Sequence, residues 1–63
     1  MTGKQFKAAC AALGLSVYAA RHVLGISLRQ AYRYSSDDAA IPDTVARLLT
    51  LLVERGAVPE GWA

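Results

Sequence analysis

The sequence predicts an all-α protein: one domain over residues 1–63, built as a compact bundle of four or five short helices. Three observations predict it. Apolar residues recur three and four positions apart in each of four segments. Capping residues open three of those segments at Thr2, Ser16 and Ser27, Pro42 begins the fourth, and Gly14, Gly25 and Gly56 close three of them. Hydrophobic residues make up 54% of the chain, much of it alanine, which favours helix and lets helices approach closely. A chain this short buries only about 60% of the surface its unfolded form exposes, so its core must be efficient.

The first helix is expected over Gly3 to Leu13. Thr2 caps it, with Gln5 completing a capping box. Phe6, Cys10 and Leu13 share one face with Ala9 beside them, and Lys4 and Lys7 point away. The second helix is expected over Val17 to Leu24, capped by Ser16. Ala20, Val23 and Leu24 face inward; Tyr18, Arg21 and His22 face outward. Leu28 to Ser35 follow as the third helix, with Ser27 and Gln30 forming a second capping box. Here Ala31 and Tyr34 point inward. Arg29 lies at the centre of the outward face, flanked by Tyr32 and Arg33, with Leu28 at its edge.

A polar loop, Ser36 to Ala40, reads as a turn device in which Asp37 and Asp38 play local roles. The fourth helix is expected to begin at Pro42, whose missing N–H costs nothing in a first turn. Val45, Leu48, Leu49 and Leu52 form its apolar stripe, and Asp43, Arg47 and Glu54 face solvent. Trp62 in the tail either folds back over the core or lies exposed at a contact surface.

Composition excludes several function classes. No apolar run approaches the roughly 20 residues of a membrane span, and Met1 to Lys4 do not lead into a signal-peptide core. A cytoplasmic protein is the expectation. Cys10 is the only cysteine, so no intramolecular disulfide forms; a lone thiol on an apolar face reads as buried and structural. His22 has no second ligand four residues on, so no metal is expected there. No Ser-His-Asp set and no glycine-rich phosphate loop is present. The expectation is a non-enzyme without cofactors. A net charge of +2 and a pI near 9.0 are compatible with nucleic acid as partner without demanding it.

The informative segment is Ser16 to Tyr34. Two short capped helices are separated by only Gly25-Ile26-Ser27, with Ile26 plugged between them. So tight a turn is expected to cross the helices steeply and present the third as a ridge that fits a DNA major groove.

This segment resembles the Cro/C1-type (XRE-like) helix-turn-helix regulators. Leu15-Ser16, Ala19-Ala20, Leu24-Gly25-Ile26-Ser27, Arg29-Gln30-Ala31 and Arg33-Tyr34 carry the likeness, and Ile41-Pro42 and Val45-Ala46-Arg47-Leu48-Leu49 extend it. The resemblance implies a helix-turn-helix over residues 16–35. Val17 stands where that family commonly has glutamine. Arg21 stands where it prefers a small residue, so a side chain this long must reach outward past the third helix.

Two partners are implied. Double-stranded operator DNA would take Arg29 as base reader and Arg33 on a base or phosphate, with Ser16, Tyr18, Arg21, His22 and Ser27 near the backbone. Binding would be on a two-fold site by a weak homodimer joined through Leu51, Val53 or Trp62. Alternatively, Val17, Tyr18, Leu28 and Tyr32 would dock on a transcription activator protein and block it. Small helix-turn-helix proteins of mobile genetic elements include such antiactivators, and the resemblance implies this alternative by analogy.

Overall fold

The computed structural model describes residues 1–62, and within them the fold is all-helical. Helix α1 spans Gly3–Ala12, α2 Val17–Leu24, α3 Leu28–Ser35 and α4 Asp43–Arg55. The core gathers one face from each. Phe6 and Cys10 come from α1, Ala20 from α2, Tyr34 from α3 and Leu49 from α4, all buried. Ala9, Leu13, Leu15, Leu24, Ile26, Ile41 and Val45 pack around this cluster. Phe6 and Tyr34 meet edge to face, with ring centroids 6.0 Å apart and planes at 69°. That geometry suits the quadrupoles of aromatic rings. Burial pushes the Cys10 thiol pKa up, because the thiolate would be desolvated there.

Helix ends explain the element boundaries. Thr2 Oγ1 accepts from the Gln5 N–H at 3.1 Å and Gln5 Oε1 accepts from the Thr2 N–H at 2.8 Å, a complete capping box. Ser16 and Ser27 accept from the Ala19 and Gln30 N–H groups, each at 3.1 Å. The second box is only half formed, however: Ser27 caps α3, but the Gln30 side chain does not return the bond. The fourth helix starts one residue later than expected. Pro42 adopts φ −60° and ψ 148°, outside the helix, and Asp43 opens α4. Leu13 likewise caps α1 instead of ending it.

The tail forms a turn, with the Trp62 N–H donating to the Pro59 carbonyl at 3.2 Å. No fifth helix forms among the described residues. Trp62 stands half-exposed beside a shallow groove lined by His22 to Gly25 and Leu48, and Ala63 lies outside the described residues.

One contact ties the chain's start to its middle. The Gly3 N–H donates to Asp37 Oδ1 at 2.6 Å, across 34 residues of sequence. Asp37 thus serves as an extra cap for α1, and it holds φ +63° to do so. Aspartate tolerates that left-handed region better than most residues. No helix is long and apolar enough to cross a membrane among the described residues.

Candidate macromolecule-binding surface

Helices α2 and α3 pack on each other, and α1 braces both from behind. Their connection is three residues long. Gly25 takes φ +67°, a left-handed turn that closes α2, and its N–H donates to the Arg21 carbonyl. Ile26 packs against the core and anchors the turn. The N-terminus of α3 therefore emerges at the surface, with Ser27, Leu28 and Arg29 all exposed.

Most of the expected surface residues lie where the sequence puts them. Ser16, Tyr18, His22, Ser27, Leu28, Arg29, Tyr32 and Arg33 are exposed. Two are not. Val17 is half-buried, because the first turn of α2 turns part of its flank inward. Arg21 is also half-buried and does not reach outward past α3. It folds back along its own helix, with its guanidinium carbon 4.4 Å from the centre of the Tyr18 ring. Its Nη2 donates to the Tyr18 hydroxyl at 3.0 Å. The arginine thereby rests on an aromatic face, an arrangement worth about 0.5–1 kcal/mol at exposed sites. It also fixes the orientation of Tyr18. The Arg21 Nε is buried without a hydrogen-bond partner.

Arg33 turns toward the end of its helix, its Nη2 lying 3.5 Å from the Asp38 carbonyl. A contact that long is weak and leaves the side chain free to swing. Arg29 stands on the exposed face of α3 with no hydrogen bond to any described residue. The C-terminal turn of α3 is closed by serines: Ser35 and Ser36 both donate to the Tyr32 carbonyl, at 2.8 and 2.9 Å.

Charge is segregated along the chain in a way the net value hides. Lys4, Lys7, Arg21, Arg29 and Arg33 all lie before Asp37, and every carboxylate side chain lies at or after it. The whole α2–α3 unit thus carries cations alone. The overall balance of +2 averages this unit against an acidic second half. The signal was present in the order of the residues and is lost when charges are summed. Asp37 is held on the α1 terminus, and the Asp38 carboxylate accepts from the Ser36 hydroxyl at the α3 C-cap at 3.1 Å.

No group of three or more metal-ligating side chains occurs among the described residues. Three shallow surface grooves lie along α1, α2, α4 and the tail, and none of the three is lined by a residue of α3. Comparison with family models, curated proteins and solved structures gave no match.

Proposed function

We propose that this chain is a non-enzymatic helix-turn-helix transcriptional regulator that lays α3 in the major groove of operator DNA. The carrying observation is the α2–α3 surface itself: its charged groups are all cations, it is open at the α3 N-terminus, and Arg29 makes no hydrogen bond to any described residue. A guanidinium in that position can take the two acceptors of a guanine edge. Arg33 reaches a phosphate once it releases the long contact to Asp38. Tyr18, Arg21 and His22 run along α2 toward the backbone, and the capped ends at Ser16 and Ser27 point N–H groups at phosphates. The longest dimension of the chain is 29 Å, less than the roughly 34 Å of one DNA turn, so one chain reads one half-site.

The test is binding to a duplex from the upstream region of its own gene. Arg29→Ala is expected to weaken specific binding by about 1–3 kcal/mol, roughly 5- to 150-fold. Arg55→Ala, at the far end of α4, should leave it near wild type. Equal affinity of wild type and Arg29→Ala overturns the assignment.

One observation favours a second reading, an antiactivator that binds a transcription activator protein. Tyr18, Leu28 and Tyr32 are 52%, 37% and 51% exposed on the same pair of helices. Exposed aromatic and apolar groups beside arginine are what anchors protein interfaces. Under this reading Leu28→Ala and Tyr32→Ala abolish regulation with the fold intact, and the chain does not shift DNA. If both variants regulate normally, the second reading falls.

A further inference from the structure

The outer face of α4 is left uncovered by the described residues and carries its own complement. Leu51 is 60% exposed, the most of any large apolar side chain among the described residues. It shares a shallow groove with Ala46, Arg47, Thr50 and Glu54. An adjoining groove, floored by alanines of α1 and edged by Val53, extends the apolar surface. Thr50 already donates its hydroxyl to the Ala46 carbonyl at 2.8 Å, so covering it strands no donor. Neither groove includes a residue of α2 or α3.

Arg47 and Glu54 flank Leu51 at a spacing of two helical turns, which puts them on one side of α4 about 10 Å apart along the axis. They are too distant to pair with each other. We propose that a second copy of this chain covers the face, with the two α4 helices antiparallel about a two-fold axis between Thr50 and Leu51. That axis sets Arg47 of each copy opposite Glu54 of the other and brings the two Leu51 side chains together at the centre. A parallel arrangement would oppose like charges, so the charge order selects the antiparallel one. A stable dimer takes about 800 Å² from each partner, a large share of the 4021 Å² surface of this chain. The association is therefore concentration-dependent and uses the alanine groove as well as Leu51. It leaves the α2–α3 surface open whichever partner that surface takes.

Sedimentation equilibrium of the full chain, without DNA, tests this. Wild type is expected to show a monomer–dimer equilibrium. Arg47→Glu and Glu54→Arg each place two like-charged pairs across the axis and should weaken association about tenfold. Both positions are exposed, so circular dichroism should show unchanged helicity. An equimolar mixture of the two variants should associate again, because each like-charged pair becomes an opposite one in the mixed dimer. A chain that stays monomeric at all concentrations overturns the proposal, as does a mixture that associates no better than either variant alone.

Discussion

Replacing Phe6 by alanine is expected to remove most of the chain's stability. Phe6 is fully buried and sits where α1 meets α3, its ring edge to face with Tyr34. A phenylalanine-to-alanine change in a packed core costs about 3–5 kcal/mol, through lost burial and the cavity left behind. A domain of this length has only about 3–9 kcal/mol of total stability to lose. There is little prospect of collapse into the hole, because Cys10, Ala20 and Leu49 around it are themselves fixed in the same cluster. Thermal unfolding followed by circular dichroism should show either no cooperative transition or one displaced far downward. The loss of function would follow, since Tyr34 is the inward anchor of α3 and loses the ring it rests on. Phe6→Leu, which keeps most of the volume, should retain a cooperative transition. A Phe6→Ala protein that melts like wild type would mean that the core lies elsewhere.

Gly3→Ala is expected to destabilise the fold, against the direction that helix propensity alone predicts. Alanine in place of glycine inside a helix usually gains up to about 1 kcal/mol. At Gly3, though, a Cβ would stand 2.6 Å from the Ser35 carbonyl oxygen and 2.8 Å from that of Tyr34. Both are backbone atoms at the end of α3, so no side chain can swing aside. The end of α1 must back away from α3, which stretches the bond from the Gly3 N–H to Asp37. Overpacking of this kind costs about 1–3 kcal/mol, and in a domain of this size each kcal/mol lowers Tm by about 4–8 °C. A fall in Tm bears out the close approach; a rise shows that α1 and α3 are not in contact there.

The contrast between these two sites shows what was legible in the sequence. Phe6 could be placed in the core from its spacing to Cys10 and Leu13, because a helix converts sequence distance directly into a shared face. The bounds of α2 and α3 were equally legible, since Ser16, Gly25 and Ser27 act on the backbone within three or four residues. Gly3 reads as an ordinary first-turn residue. Its role depends on the end of α3, over thirty residues away, and no local pattern encodes that approach. Asp37 is similar: the sequence shows a turn former, and the structure adds a cap on a distant helix. On the α2–α3 surface, the exposure of Arg29 and Tyr32 followed from helical geometry alone. Arg21 did not, because a long side chain chooses between reaching outward and lying on Tyr18, and the nearby ring decides.

The central claim, that the cationic α2–α3 surface engages DNA, is tested most directly by the salt dependence of binding to the upstream duplex. Arg21 and Arg33 displacing counterions from phosphates should make the logarithm of the affinity fall linearly with that of salt concentration. The slope should be about −2 per chain. No binding at low salt, or an affinity that does not change with salt, would contradict the account.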